Sequence, residues 1–188
     1  MQSSVVKILH ELDGILSRWG RWYLFGAQAV VVWGVPRLSA DVDVTLDLDP
    51  EKVRDFVDEM RQAGFDLLVD DAGFLERTRV LPFAHRSTYM PLDVVLAGSG
   101  LEDEFLSRAR RVEIAGVAIP VIDVEDLMIA KILAGRPKDI EDVRGLLRVR
   151  GAQIDIERIR RVLGMLEEAL SQSDLVPVLE SLLESPTD

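Results

Sequence analysis

The chain has 188 residues, no cysteine, 48% hydrophobic residues and a formal net charge of −11. The lack of cysteine excludes disulfides, thiolate catalysis and Cys-ligated zinc, and the acidic charge argues against broad, non-specific binding to nucleic acid. No apolar stretch approaches the roughly 20 residues of a membrane helix, and the N-terminus lacks a signal-peptide pattern. We therefore expect a cytoplasmic protein with no membrane segment.

The first part of the chain alternates helices with short strands. The spacing of apolar residues predicts a helix over residues 5–18, followed by a strand at residues 22–25. Gly26 ends this strand, and residues 27–33 are predicted to form a short buried helix. An extended, acidic segment then begins at Asp41.

The middle of the chain continues this alternation. Pro50 predicts the start of a helix that ends at Gly64, and residues 65–69 are predicted to form a strand. Two further extended runs, residues 74–82 and 88–96, are predicted to pair as antiparallel strands.

The C-terminal part is predicted to be mostly helical. Residues 101–109 suggest a short helix and residues 111–121 a small hairpin, after which Asp123 is a candidate N-cap for the first of several helices. The whole pattern predicts an α+β fold, with a mixed β-sheet flanked by helices and a C-terminal helical region. We divide it into a core over residues 1–122 and a helical region over residues 123–188.

Asp41 and Asp43 are the first candidate site residues. Side chains in a strand alternate faces with period two, so these two carboxylates point the same way and repel each other. Either a raised pKa or a divalent cation relieves such repulsion, and oxygen ligands favour Mg²⁺ or Mn²⁺. The alternative is an amphipathic strand with a solvated acidic face, because acidic residues continue to alternate with apolar ones up to Asp49.

Asp93 is the third candidate. It is flanked by Leu92 and Val94 in a nearly continuous apolar run, where an unpaired carboxylate costs several kcal/mol by the approximate scale of buried ions. Asp93 therefore needs a partner, and a cation shared with Asp41 and Asp43 would supply one. A purely acidic helical scaffold gives no reason for Asp93.

The basic charge is concentrated in one segment. Residues 131–161 carry nine basic and five acidic side chains, although the whole chain is strongly acidic. This asymmetry fits a local anionic ligand or RNA contact, and it fits equally well a helix with salt bridges at i, i+4 spacing.

The order of these pieces resembles the DNA polymerase β-like nucleotidyltransferase superfamily. That pattern has a hydrophobic residue and Gly-Gly or Gly-Ser, about a dozen residues, Asp-x-Asp, and a later lone acid on a neighbouring strand. Here its counterparts are Gly26-Ala27, Asp41, Asp43 and Asp93. Within the superfamily the chain is similar to the AbiEii/AbiGii group, which includes toxins of toxin–antitoxin pairs.

The similarity to that group rests on two stretches of the chain. The first is Arg37-Leu38-Ser39-Ala40-Asp41-Val42-Asp43, and the second runs from Lys131 through Arg136 to Asp139 and Asp142. The resemblance covers residues 24–147 and leaves the last forty or so residues unassigned.

The resemblance implies a set of roles. Asp41 and Asp43 would ligate Mg²⁺ (or Mn²⁺) with help from Asp93, and these three would be the catalytic residues. The nucleotide-binding residues would be Gly26, Ala27, Arg37, Ser39, Lys131 and Asp139. Simpler alternatives are a surface Arg37, a turn Ser39, a snorkelling Lys131 and a structural salt-bridge cluster around Asp139.

The implied activity is transfer of NMP from an NTP to an acceptor hydroxyl. RNA, and tRNA in particular, is the acceptor suggested by the toxin relatives, while a protein or a small molecule suits the acidic surface at least as well. A cognate antitoxin protein is a possible partner. The alternative is a degenerate, non-catalytic protein-interaction module, for which Ala27 in place of the usual Ser is the sequence hint.

Overall fold

The computed structural model describes residues 4–69, 71–98 and 100–184. Two compact units form: the first contains the residues up to Ala29 together with Arg37–Ile122, and the second contains Val30–Pro36 and the residues from Asp123 onward. A compact unit is not by that fact an independently folding domain. The division into domains over residues 1–122 and 123–188 therefore stays a prediction.

The first unit is built on one mixed β-sheet, to which its described residues contribute seven strands. They are β1 (Trp22–Phe25), β2 (Val42–Leu46), β3 (Phe65–Leu67), β4 (Val80–His85), β5 (Pro91–Leu96), β6 (Arg110–Ile114) and β7 (Val117–Val121). The order across the sheet is β3-β4-β5-β2-β1-β7-β6. Strand β2 runs parallel to β5, and β1 runs parallel to β7, whereas the other neighbours are antiparallel.

Helices accompany this sheet. They are α1 (Ser4–Trp19), α2 (Gly26–Val32), which begins in the first unit and ends in the second, α3 (Val53–Gln62), α4 (Ala72–Thr78) and α5 (Leu101–Arg108). A 3-10 turn, Pro50–Lys52, precedes α3. Helix α1 contacts β7, α3 contacts β3 and α4 contacts β4. The predicted α+β class, with a mixed sheet and flanking helices, is confirmed.

The side chains of the central strands alternate between the two faces of the sheet. Val42, Val44 and Leu46 in β2 and Leu92 and Val94 in β5 are buried, so every second side chain enters the core. The side chains between them, among them both candidate acids of these strands, point to the opposite face. This alternation positions the candidate site.

The strand predicted over residues 74–82 is wrong in its first half. Residues up to Thr78 form α4, because the Asp71 side chain caps that helix by accepting a hydrogen bond of 2.8 Å from the Gly73 N–H. Arg79 ends the helix in the left-handed conformation, with its N–H bonded to Leu75 O. Strand β4 begins only after this cap.

Two other predicted strands are shorter than expected. Strand β5 begins at Pro91 instead of residue 88, because the His85 N–H bonds to Met90 O and closes a loop in which Tyr89 has a φ of 56°. Strand β3 ends at Leu67 instead of residue 69. Local turn bonds of this kind leave little trace in apolar periodicity.

The second unit is helical. Its helices from Asp123 onward are α6 (Val124–Ala134), α7 (Pro137–Arg150), α8 (Ile156–Leu170) and α9 (Leu175–Glu184), with a 3-10 turn at Gly151–Gln153. Helix α6 contacts α7, α8 and α9. The prediction of an N-cap at Asp123 is confirmed, since its side chain accepts from the Glu125 N–H. A buried ion pair of 2.6 Å joins Arg158 in α8 to Asp126 in α6.

Within the described residues, the helices are all too short or too polar to cross a membrane.

Candidate active site

Asp43 and Asp93 are direct neighbours across the sheet. They are register partners in the parallel pairing of β2 with β5, and Asp43 also faces Phe25 in the antiparallel pairing with β1. Register partners project to the same face of a sheet, with backbones about 4.8 Å apart. Both residues are half-buried. Two acids that lie far apart in the sequence are thus adjacent on one face.

Gly26 approaches Asp43 closely. It follows β1 directly, opens α2 and has a φ of +65°. A Cβ atom at this position would overlap the Asp43 carboxylate. Glycine is therefore required twice, for its left-handed backbone and for the space beside an acid.

Asp41 lies just before β2 and is exposed. The Ser39 hydroxyl donates a short hydrogen bond to Asp41 Oδ1, and Gln28 Nε2 donates to the Asp41 carbonyl oxygen at 3.2 Å. Gln28 was not among the residues predicted from the sequence. The only sequence signal for it is a lone amide within the apolar segment Ala27 to Val32, which by itself predicts nothing specific.

The charge environment of Asp93 is unfavourable. Burial raises the pKa of the Asp93 carboxyl, and the negative charge of Asp41 raises it further. Asp41 therefore lies close enough to Asp93 for the two carboxylates to interact. Among the described residues, no basic side chain restores the ordinary pKa of Asp93.

The carboxylates of Asp41, Asp43 and Asp93 are oxygen donors. Within residues 4–69, 71–98 and 100–184, no group of three His, Cys, Asp or Glu side chains is arranged to hold a metal ion. Mg²⁺, however, usually keeps several waters and binds proteins through one or two carboxylates together with substrate phosphates. The all-oxygen donors and the raised pKa of Asp93 fit a cation of that kind, held partly by its substrate.

The other predicted residues of the first unit lie along the same stretch of chain. Ala27 is in the first turn of α2, and its side chain is buried. Arg37 and Ser39 belong to the segment that leads into β2, and both are half-buried. The structure thus brings Gly26, Ala27, Ser39 and the three acids to one end of β1, β2 and β5.

Lys131 and Asp139 lie in the second unit, in a buried ion network. Lys131 Nζ donates to Asp139 Oδ1 at 3.1 Å and to Asp142 Oδ2 at 2.6 Å, and all three side chains are less than 10% exposed. Burial disfavours ionisation of Asp139, but hydrogen bonds from Arg136 and Lys131 outweigh it and hold the pKa of Asp139 below its usual value. Two of the three Lys131 donors are therefore used inside α6 and α7.

A family model described as "Nucleotidyltransferase of unknown function (DUF6036)" matches residues 4–175. A search of curated protein sequences finds no match.

Solved structures share the fold. The solution structure of the antibiotic-resistance factor ANT(2'')-Ia aligns with a TM-score of 0.64 and 16% identity, over 91% of this chain and 97% of that one. Lincomycin-bound LnuA, a lincosamide antibiotic adenylyltransferase, gives a TM-score of 0.53 and 14% identity, over 79% and 98%. The nucleotidyltransferase toxin MenT4 of Mycobacterium tuberculosis H37Rv gives 0.50 and 17%, over 88% and 65%. At these identities the likeness establishes the fold.

Gly26→Ala is expected to destabilise the protein more than a glycine replacement made in open space. The left-handed backbone alone costs about 1–2 kcal/mol for a residue with a Cβ, and overlap with Asp43 adds to it. Gly64→Ala is the matched control, because Gly64 also has a positive φ but nothing lies within 4 Å of the place that a Cβ would occupy there. Urea unfolding measures the free energy of unfolding of both variants. An equal loss of stability in the two would contradict the close approach of Gly26 to the Asp43 carboxylate.

Asp93→Asn is expected to stabilise the metal-free protein at neutral pH. Because the folded-state pKa is raised, the unfolded chain loses this proton first, and wild-type stability falls as pH rises from the ordinary pKa through the folded one. The gain in melting temperature should therefore shrink as the pH is lowered towards about 4. Asp66→Asn is a control that should change stability in the opposite direction. Arg86 lowers the pKa of Asp66, so this substitution should lower the melting temperature at neutral pH. A variant less stable than wild type at pH 7 would refute this interpretation of Asp93.

Lys131→Met is expected to cost about 3–5 kcal/mol of folding stability, the usual penalty for removing one partner of a buried ion pair. Asp139 and Asp142 would then be buried without their ammonium partner. Because Lys131 helps to lower the pKa of Asp139, the loss should diminish at low pH, where Asp139 is protonated. Lys138→Met, at an exposed lysine on α7, should change little. Equal melting curves for the two variants would show that Lys131 does not hold this network together.

Proposed function

The chain belongs to the nucleotidyltransferase family whose model it matches over residues 4–175, and from this membership we propose a divalent-metal-dependent enzyme that transfers NMP from an NTP to an acceptor hydroxyl. The observation that supports the proposal most directly is the register of Asp43 with Asp93, beside a glycine that leaves room for the Asp43 carboxylate. The lincosamide antibiotic adenylyltransferase LnuA shares this fold.

In the proposed site, Asp41 and Asp43 hold Mg²⁺ or Mn²⁺, and Asp93 assists. The bound cation would supply charge neutralisation at the phosphates of the NTP and at the departing pyrophosphate. To hold this cation, the carboxylates must be fixed on one side of the nucleotide. The sheet fixes Asp43 and Asp93 by their register, and the segment before β2 supplies Asp41.

The proposed transfer is a single displacement at the α-phosphorus. The acceptor oxygen forms a bond to this phosphorus, the bond to the oxygen that bridges to the β-phosphorus breaks, and pyrophosphate leaves with that electron pair. Asp93 takes the proton of the acceptor hydroxyl. The products are the nucleotidylated acceptor and pyrophosphate, so no further reactant is needed.

Nucleotide binding is assigned to the residues that the family resemblance indicates. Gly26 and Ala27 would offer backbone N–H groups to phosphate, and Arg37 and Ser39 would contact it from the segment before β2. Lys131 and Asp139 would also take part in nucleotide binding, although the observed contacts of Lys131 favour a structural role. The stability test given above measures the structural role.

The acceptor is proposed to be RNA, tRNA in particular, in line with the resemblance to AbiEii-type toxins. The toxin MenT4 shares the fold, and a cognate antitoxin would then be the partner of this cytoplasmic protein. The net charge of −11 favours a second candidate, a cationic small molecule, because an acidic surface attracts such an acceptor and repels RNA. ANT(2'')-Ia has been solved with adenylyl-2''-tobramycin, a nucleotidylated compound of this class.

A non-catalytic role remains the alternative to this enzyme activity. Ala27 stands where the superfamily usually has Ser, and its buried side chain offers no hydroxyl to phosphate. A binding module of this kind would keep the fold and a protein partner but would transfer no label.

The direct test is transfer of label from each α-³²P NTP, with Mg²⁺, onto total RNA, total protein or a panel of aminoglycosides. Wild type should label one acceptor class, and Asp43→Asn should lower the rate by at least about a hundredfold, the scale of losses when a charge-stabilising group is removed from an active site. Asp47→Asn is the matched control, because Asp47 continues the alternating acids of this segment but bonds to Arg21.

The outcomes separate the hypotheses. Label on RNA supports the toxin-like acceptor, and label on aminoglycosides supports the cationic one. Equal activity in Asp43→Asn and Asp47→Asn would mean that the acids are only a solvated strand face. No label with any NTP and any acceptor would favour the non-catalytic module.

A further inference from the structure

We propose that Gln28 is a positioning residue, which fixes the backbone of Asp41 and thereby the direction of its carboxylate. The inference rests on the proposed function, because Asp41 is taken there as a metal ligand. Gln28 Nε2 donates to the main-chain carbonyl oxygen of Asp41 at 3.2 Å. It would therefore act through Asp41 and not on the substrate.

Asp41 needs such support because of where β2 begins. The ladder pairings of β2 with β1 and β5 start at Asp43 and Val42 respectively, so they do not include Asp41. Asp43 is held by hydrogen-bonded strands on both sides of β2, whereas Asp41 is exposed and lies at the end of the segment that enters the sheet. A metal ligand outside the ladder requires another restraint on its backbone.

Gln28 provides this restraint from a rigid position. It lies in the first turn of α2 and is 9% exposed, so its amide is held inside the protein. A buried amide that loses its partner costs about 1–3 kcal/mol, and this makes the Asp41 bond hard to break without a penalty. The carbonyl oxygen of Asp41 is thereby tied to α2.

Because Gln28 donates to the Asp41 carbonyl, the Ser39 hydroxyl can donate to the Asp41 carboxylate. Its hydroxyl lies 3.4 Å from the Asp41 carbonyl and makes a shorter hydrogen bond to Asp41 Oδ1. A hydroxyl has one proton to donate, so it can serve only one of these oxygens at a time. With Gln28 on the carbonyl, Ser39 orients the side chain.

The same turn of α2 also contacts the second ligand. Gly26, two residues before Gln28, lies against the Asp43 carboxylate. One turn of helix therefore sets Asp43 by close packing and Asp41 by a hydrogen bond. Catalytic constellations tolerate errors of only about 0.5 Å, so loosening Asp41 should weaken metal use before it weakens nucleotide binding.

The experiment compares Gln28→Met, which has similar length but no donor, with Gln62→Met at an exposed glutamine of α3. Gln28→Met should weaken Mn²⁺ binding, measured by electron paramagnetic resonance without NTP, and should lower kcat, by about five- to tenfold each, the scale of one lost hydrogen bond. The KM for NTP should change by less than about twofold. Gln62→Met should behave as wild type. Gln28→Asn keeps the amide but is too short to reach the Asp41 carbonyl, so it should show the same defect. It replaces Gln28→Met in the test if that variant folds poorly.

Each result decides the inference. Folded Gln28→Met or Gln28→Asn with wild-type metal dependence overturns it and leaves the proposed function standing. A higher KM for NTP with unchanged metal dependence also overturns it, because Gln28 would then contact nucleotide. A wild type that transfers no label and binds no Mn²⁺ by electron paramagnetic resonance overturns the proposed function, and this inference with it.

Discussion

The parallel pairing of β2 with β5 is the constraint on which the rest of the site depends. It makes Asp43 and Asp93 register partners, although fifty residues separate them in the chain. Parallel strands need a long crossover, and here α3, β3, α4 and β4 fill it. If either strand slipped by one residue, its acid would turn into the core and its core residues to the opposite face. The apolar side chains Val42, Val44, Leu92 and Val94, all 0% exposed, hold the register in place.

This arrangement costs stability in the absence of a ligand. The raised pKa of Asp93 reflects burial and the charge of Asp41, and both disfavour the ionised site. Two other buried acids are paired with basic side chains, Asp126 with Arg158 and Asp139 with Lys131, whereas burial and the neighbouring Asp123 raise the pKa of Glu125. At Asp93, the cation that we propose would offset both the burial and the charge of Asp41.

The sequence was sufficient for much of the fold because apolar periodicity reports burial directly. Helix α1, strand β1, the β6–β7 hairpin and the Asp123 cap all follow from such local signals. The strand prediction for residues 74–82 failed in its first half, because the helix there is set by the cap at Asp71 and by the left-handed Arg79. Both features depend on single hydrogen bonds.

For the site, alternation and the apolar surroundings of Asp93 pointed to the three acids. Gln28 could not be found this way, because its role depends on the tertiary approach of α2 to the residue before β2. The paired state of Lys131 likewise depends on how α6 and α7 pack.

The central claim is that Asp41 and Asp43 share a cation with the phosphates of a nucleotide. The most direct measurement is a crystal structure grown with Mn²⁺ and a non-hydrolysable NTP, with anomalous scattering used to locate the metal. We expect an anomalous peak about 2.0–2.3 Å from carboxylate oxygens of Asp41 and Asp43 and from phosphate oxygens of the nucleotide. Bound nucleotide with no peak beside these two residues, or with a peak held by other side chains, would contradict it.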